Sequence, residues 1–298
     1  MYSPLAPGSS EPRLGAVAAG DRFAIDTKVI SREPGDHSKQ NVLRDINDSL
    51  EALKVKQINR YLHVPDRATS LEEPCEAMDQ AHREGKIKHW GLSNYTAEEV
   101  QRFVDICEER GFVKPSVYQG QYNPVVRGGE KELFPVLRKH GIAFYAFSPA
   151  AGGFFAGNHK NVKTGGRFDQ TVSTSVSLVF VKGDMLADHV FSGLKHSIGG
   201  LYSSIYMKPS IMTNTDKALE VASQHGIGGH AAALRWTAHH SLLSKAHGDA
   251  VIVGASSPEQ LESNLNMIEQ GPLPDDVVAA LEAVYDGMEI GQEASYHL

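Results

Sequence analysis

The side chains of this sequence that can do chemistry stand at the ends of short apolar runs. Polar or charged side chains lie at or near the C-terminal ends of these runs. They are Lys28, His63, Ser93, Asn94, Gln119, Ser148 and Ser256. Taken singly, a lysine at a strand end is usually a solvated charge, and a histidine in an apolar strand is usually structural. Polar groups that end successive parallel strands nevertheless meet at one edge of the sheet, and a (β/α)8 barrel builds its active site at that edge.

The elements that must position these side chains alternate between strand and helix patterns. Runs rich in β-branched and aromatic residues predict strands within Phe23–Val29, Ile58–Val64, Ile87–Asn94, Ser116–Asn123, Ile142–Pro149 and Ala250–Ser256. Helical periodicity occurs at Glu11–Ala19, Asn41–Leu53, Leu71–Glu84, Ala97–Arg110, Lys131–His140, Asp216–His225, Pro258–Glu269 and Asp275–Gly287. This alternation predicts a parallel sheet built from βα units.

The number of predicted strands falls short of a closed barrel. A (β/α)8 barrel has eight strands, and six can be counted here. Because only an opening turn and one short helix pattern precede the first run, we expect two strands to lie upstream of Met1. The predicted fold class is therefore α/β, a (β/α)8 TIM barrel lacking its first two strands, as a single incomplete domain over residues 1–298. Residues 171–198 show no periodicity or caps, and we interpret them as an irregular insertion.

Composition and charge exclude several classes of protein. The net charge of −7 and the pI near 6.0 argue against nucleic acid or an anionic membrane as the main partner. Two cysteines, Cys75 and Cys107, make no disulfide framework, which favours a reducing compartment. No apolar run approaches the ~20 residues of a membrane span, and no secretory signal is visible. We therefore expect a cytoplasmic protein.

Five motifs, in one order along the chain, identify a family resemblance. They are "YLHVPD" at 61–66, "EGKIKHWGLSNY" at 84–95, "VYQGQYN" at 117–123, "FYAFSPAAGG" at 144–153 and "GDAVIVGASSPEQLESN" at 248–264. Together they resemble the aldo-keto reductases, in the branch of the aflatoxin aldehyde reductases and their fungal relatives. The resemblance implies a barrel of that type and NADPH-dependent reduction of an aldehyde or ketone, in fungal relatives often within secondary metabolism. It implies a small-molecule carbonyl substrate as the partner and leaves a homodimer open.

The resemblance also implies a catalytic Asp, Tyr, Lys and His at the barrel mouth. The opening "MYSPLAPGSSEPRLG" matches the segment that carries the tyrosine, so Tyr2 falls at the general acid, while Lys28 and His63 match the lysine and the histidine. A free phenol is a reluctant acid, and a nearby ammonium lowers its pKa by favouring the phenolate. The histidine orients the carbonyl through a hydrogen bond. The family aspartate, which holds the lysine, has no counterpart in this sequence.

Positions for the two ends of NADPH follow from the same resemblance. Ser93, Asn94 and Gln119 match residues that grip the nicotinamide carboxamide, and Tyr145 matches the aromatic residue that stacks on the ring. A tyrosine in a buried strand is also ordinary core. The loop backbone that could approach the pyrophosphate, together with one nearby cation, comprises Ser148, Ala151, Gly152, Gly157 and Arg167.

A polar helix face could bind the adenosine end. Ser256, Gln260 and Asn264 recur every four residues, so they share one face of the helix that opens at Pro258, and its N-terminus is a natural anion site. The resemblance implies that this element, with Gly254, binds the adenosine 2′-phosphate and the adenine of NADPH. A capped helix with a plain polar face is the alternative.

Two weaker patterns do not indicate ligand sites. "GIGGHA" at 226–231 follows a helix pattern instead of a strand, so a helix end and a turn fit it better than a dinucleotide fingerprint. His239, His240 and His247 lack a carboxylate or cysteine at helical spacing that would complete a metal site, so a solvated helix end fits them better. Two other functions stay open: a non-catalytic NADPH-binding subunit, and an inactive truncated reductase.

Overall fold

Six short strands pair side by side, all parallel and in the order of the chain. The computed structural model describes residues 10–29, 31, 33–62, 64–164, 166–171 and 198–297. Within them the strands are β1 (Asp26–Lys28), β2 (Ile58–Leu62), β3 (Ile87–Ser93), β4 (Val117–Gln121), β5 (Ala143–Phe147) and β6 (Ala250–Val251). Each predicted apolar run therefore contains a strand, and the predicted α/β class with a parallel sheet is confirmed.

Ten α-helices lie in the same described residues. They are α1 (Ser10–Ala16), α2 (Lys39–Leu53), α3 (Glu72–Arg83), α4 (Ala97–Arg110), α5 (Gly129–His140), α6 (Ile198–Tyr206), α7 (Pro209–Gln224), α8 (Gly229–His239), α9 (Pro258–Glu269) and α10 (Asp275–Asp286). One helix follows each of the first four strands, and among the described residues between β5 and β6 there are three α-helices.

Local capping residues explain why α4 begins and ends where the sequence predicts. The Thr96 side chain accepts from the Glu99 N–H, the Glu99 side chain accepts from the Thr96 N–H, and Gly111 ends the helix in the left-handed region at φ 67°. In α9, Ser257 caps the Gln260 N–H and Pro258 occupies the first turn.

The main core lies between the outer face of the sheet and these helices. Trp90 and Phe103 meet edge to face, with centroids 6.2 Å apart, where β3 packs on α4. Phe144 of β5 stacks on Phe134 of α5 at 4.7 Å. These outward-facing aromatics fix which residues of each strand face the opposite, concave side of the sheet.

Some boundaries differ from the sequence prediction. The run from Phe23 pairs only from Asp26, because a 3-10 turn at Ala19–Asp21 precedes it and Phe23 is exposed. The predicted helix from Asp216 begins at Pro209, whose fixed φ suits a first turn. Helix α6 was not predicted, and of α8 the sequence predicts only a helix end near His239. Residues 172–197 of the expected insertion lie outside the described residues, and the two strands expected upstream stay a prediction.

Candidate active site

Three of the predicted cofactor residues form one row across the sheet. Ser93 of β3 pairs with Gln119 of β4, and Gln119 pairs with Tyr145 of β5. Paired residues of parallel strands present their side chains to the same face. Their sequence neighbours Leu92, Tyr118 and Phe144 form a similar row. Because Phe144 packs on α5, the Ser93–Gln119–Tyr145 row belongs to the concave face. We refer to these three residues as the concave row.

Lys28 shares this face at the end of β1. Its backbone pairs with Tyr61, which pairs with Gly91, two residues before Ser93. The Lys28 side chain is half-buried. Burial, and after it the carboxylate of Asp26, raises the pKa of Tyr145. Because Asp26 lies on β1 and Tyr145 on β5, this electrostatic effect acts across the hollow of the sheet.

Asn94 continues the concave row into the loop after β3. Its backbone is left-handed, with φ 67°, a conformation that asparagine tolerates better than most residues. Its Nδ2 donates to Ser93 Oγ at 3.1 Å, and both residues are buried. The pair therefore presents a fixed hydroxyl and amide at the carboxyl end of β3.

The loop after β5, which the sequence analysis assigns to the pyrophosphate, contains several residues with positive φ. Ser148 and Ala151 are left-handed at φ 55° and 52°, and Gly152, Gly153 and Gly157 also have positive φ. For the two non-glycine residues this conformation is strained, and such strain often accompanies ligand-binding loops.

Two tyrosines of α6, missed by sequence reasoning, close over this loop. Tyr202 Oη lies 3.2 Å from Ser148 Oγ, and its ring fills the space in front of Gly152. The Arg167 guanidinium lies 5.7 Å from the centroid of the same ring, so three predicted phosphate residues surround Tyr202. Helical periodicity does not identify α6 in the sequence, and its first residue belongs to the irregular segment 171–198.

The second tyrosine, Tyr206, ties α6 to the end of β4. The Tyr206 hydroxyl accepts from Gln121 Nε2 at 2.5 Å and from Asn123 Nδ2 at 3.1 Å. Burial raises the pKa of this phenol well above its usual range, so it remains protonated.

The predicted adenosine-end residues come together at the start of α9. The Ser256 N–H and Oγ both donate to Gln260 Oε1, at 2.6 and 2.8 Å. Asn264 Nδ2 donates to the Gly254 carbonyl at 3.2 Å, and its Oδ1 lies 2.9 Å from His230 Nε2. Asn264 is 3% exposed, whereas Ser256 and Gln260 are accessible. His230 of α8, which the sequence analysis does not identify, therefore supports the cluster through its contact with the buried Asn264.

Two predicted catalytic residues, Tyr2 and His63, lie outside the described residues, so their roles stay predictions. Within the described ranges, no three His, Cys, Asp or Glu side chains are grouped as a metal site would require. No helix in the part of the chain that the structure describes is long and apolar enough to cross a membrane.

Comparison with known proteins agrees with the motifs. Residues 1–286 match the model of the aldo/keto reductase family. An aldo-keto reductase of Pseudocercospora fijiensis is 34% identical over 95% of this chain and 90% of its own length. The oxidoreductase sirO of Leptosphaeria maculans is 34% identical over 94% and 78%, and the human aflatoxin B1 aldehyde reductase member 2 is 37% identical over 96% and 76%. The chain therefore belongs to the aldo/keto reductase family.

Proposed function

We propose that this chain reduces an aldehyde or ketone to an alcohol with NADPH, at the concave face of a (β/α)8 barrel to which the six strands belong. The observation that carries the proposal is the concave row, in which a hydroxyl, an amide and a phenol ring lie side by side on the same face of the sheet as Lys28. Family membership supports the reaction class.

The residues of the concave face fit a nicotinamide ring. A carboxamide needs donors and acceptors, which Ser93, Asn94 and Gln119 provide at neighbouring strand ends. The half-buried ring of Tyr145 offers an aromatic surface beside them. When bound, NADPH supplies the hydride, and the protein supplies orientation and a proton.

The N-terminus of α9 fits the phosphate at the other end. Its first turn leaves backbone N–H groups unpaired within the helix, and the helix dipole favours an anion there. Ser256 and Gln260 are accessible at this point, whereas Asn264 is buried and acts by holding Gly254. At the loop after β5, Tyr202 covers Gly152, so only the remaining loop backbone offers contacts to the pyrophosphate.

In the proposed mechanism the proton comes from Tyr2. The Lys28 ammonium lowers the pKa of the Tyr2 phenol and makes it a better acid toward the carbonyl oxygen. His63 donates a hydrogen bond that orients the same oxygen. Some relatives carry the name aflatoxin B1 aldehyde reductase, and we extend this to a natural-product carbonyl as the substrate class.

The test measures binding and turnover separately. Fluorescence titration gives the Kd values of NADPH and NADH, and loss of NADPH absorbance with para-nitrobenzaldehyde gives kcat and KM. Turnover with a preference for NADPH would support the proposal. Tight NADPH binding without turnover of any carbonyl substrate would instead indicate a non-catalytic cofactor-binding subunit.

A further inference from the structure

One buried histidine, unused by the mechanism above, joins three loops at the catalytic edge of the sheet. His37 lies in the connection between β1 and α2 and is 1% exposed. Its Nε2 lies 2.7 Å from Ser31 Oγ, in the same connection. Its Nδ1 lies 3.3 Å from the hydroxyl of Tyr95, which follows Asn94 at the end of β3.

The third loop is joined through Asp66, which follows β2. Its Oδ2 accepts from the backbone N–H groups of Gly35 and His37, at 2.9 and 3.2 Å, and from Thr69 Oγ1 at 2.6 Å. Its Oδ1 accepts from the Ala68 N–H at 3.1 Å. Burial alone would raise the pKa of Asp66, but these hydrogen bonds lower it overall. The carboxylate therefore stays ionised and holds the backbone at Gly35 and at His37 itself.

The hydrogen-bond directions favour one tautomer of a neutral imidazole. If Tyr95 Oη–H donates to Nδ1, then Nε2–H donates to Ser31 Oγ, and the serine hydroxyl can donate to the Val29 carbonyl at 3.4 Å. In the reverse direction the Tyr95 hydroxyl hydrogen would have no acceptor among the described residues. Because Tyr95 is 1% exposed, that arrangement would leave a buried donor unsatisfied. The first arrangement is therefore favoured.

The residues that His37 contacts directly or through Ser31 lie next to residues of the proposed site in the sequence. Val29, whose carbonyl faces Ser31, is the residue next to Lys28. Tyr95 adjoins Asn94, and its ring is fixed against Phe103, with centroids 5.0 Å apart. The imidazole therefore fixes the loop beside Lys28 to the strand end that carries Ser93 and Asn94.

We propose that His37 is a positioning residue, which sets Lys28 at a fixed place relative to Ser93 and Asn94 through its contacts to Ser31 and Tyr95. This proposal rests on the carbonyl reduction proposed above. His37 itself touches neither substrate nor cofactor. A reacting group displaced by about 1 Å can lose ~10²-fold in rate, so a small shift of the β1–α2 connection is sufficient to slow turnover.

The test uses the full chain and four variants. His37→Ala removes both contacts. Tyr95→Phe removes one hydroxyl and keeps the ring on Phe103. His37→Asn keeps a side-chain carbonyl near the position of Nδ1, where it can accept from Tyr95. His82→Ala, at an exposed histidine of α3, is the matched control.

The expected result separates kcat from binding. His37→Ala and Tyr95→Phe lower kcat about tenfold or more, with NADPH Kd and substrate KM within about threefold of wild type, and His37→Asn recovers most of the loss. Wild-type kcat in both folded variants, or a loss that His37→Asn does not recover, would overturn the proposal.

A second measurement decides the matter if the wild-type chain reduces no carbonyl, an outcome that refutes the proposed function alone. Backbone hydrogen exchange is then compared for residues 33–38 and for Asn94 and Tyr95. We expect His37→Ala to speed exchange in both segments and His82→Ala in neither. Faster exchange in residues 33–38 alone would show that His37 does not couple the loops.

Discussion

The ring of Tyr202 in α6 lies so close to Gly152 that a β-carbon on that glycine would overlap it. Gly152 also has a φ of 63°, whereas Gly157, at φ 77° in the same loop, has open space where a β-carbon would be. The two glycines therefore share a backbone requirement and differ in one contact.

This difference predicts unequal costs for the same substitution. Gly157→Ala loses ~1–2 kcal/mol of the free energy of unfolding, because alanine is strained at positive φ. Gly152→Ala loses a further ~1–3 kcal/mol from overlap with Tyr202. Urea unfolding of both variants measures the two costs. Combining Gly152→Ala with Tyr202→Ala should remove the extra loss of unfolding free energy at Gly152. If Gly152→Ala and Gly157→Ala cost the same while Tyr202 is present, the Tyr202 ring is not held against Gly152.

The buried ion pair between Arg138 and Asp249 is expected to stabilise the junction of β5 with β6. Asp249 accepts two hydrogen bonds from the Arg138 guanidinium and one each from the Phe144 and Ser244 N–H groups. Asp249→Ala leaves the cation and both amides without this partner, so we expect a loss of roughly 3 kcal/mol or more in the free energy of unfolding. Glu108→Ala, which breaks an exposed pair with Lys114, should change it little. Similar unfolding midpoints for the two variants would contradict the prediction.

His37 should make stability depend on pH below neutrality. Burial lowers the pKa of His37 to about 4, although Asp66 and Asp36 act in the opposite direction. As pH falls, His37 takes up a proton near pH 6.5 in the unfolded chain but only near pH 4 in the folded chain. The free energy of unfolding therefore decreases as pH is lowered from about 6.5 to about 4. The loss approaches ~3 kcal/mol at the acid end.

Denaturant unfolding at several pH values checks this dependence. His37→Gln should flatten the slope of stability against pH, whereas substitution of the exposed His247 by glutamine should not. An unchanged slope in His37→Gln would place the acid sensitivity elsewhere in the chain.

Local signals predicted most of the fold, and long-range contacts account for what they missed. The bounds that periodicity predicts for α4 and α9 agree with the structure, in which Thr96, Gly111 and Ser257 are strong local caps. The polar face at Ser256 and Gln260 followed from helical spacing alone. Tyr202 and His37 escaped prediction because each acts on residues that are dozens of positions away in the chain. Only the folded sheet brings Tyr202 to Gly152 and His37 to Tyr95.

The contact between Gln260 and Ser256 should govern the proposed preference for NADPH over NADH. Gln260 Oε1 holds both the N–H and the hydroxyl of Ser256 at the start of α9. Gln260→Ala removes the amide oxygen that holds Ser256 in place, so Ser256 is no longer fixed for contact with the 2′-phosphate. We therefore expect NADPH affinity to fall about tenfold, while the affinity for NADH, which has no 2′-phosphate, stays nearly unchanged. Fluorescence titration of both cofactors measures this, with exposed Ser263→Ala on the same helix as the control. Equal weakening for both cofactors would rule out a phosphate-specific role.

Lys28 provides the sharpest test of the proposed chemistry. It lies at the end of β1, on the face of the sheet that carries the concave row. An ammonium about 4 Å from a phenolate stabilises it by ~4 kcal/mol at an effective dielectric constant of 20, and general acid catalysis contributes ~10²–10⁴-fold. Lys28→Met should therefore lower kcat at least ~10²-fold, with NADPH Kd within about threefold of wild type.

Two further variants separate charge from shape at this position. Lys28→Arg keeps the positive charge, so it should retain more turnover than Lys28→Met, although its planar guanidinium cannot place the charge at the same point. Lys39→Met removes an exposed lysine that pairs with Glu76 and should leave kcat unchanged. If Lys28→Met turns over as fast as Lys39→Met, Lys28 does not activate the proton donor, and another cation must be sought at the concave face.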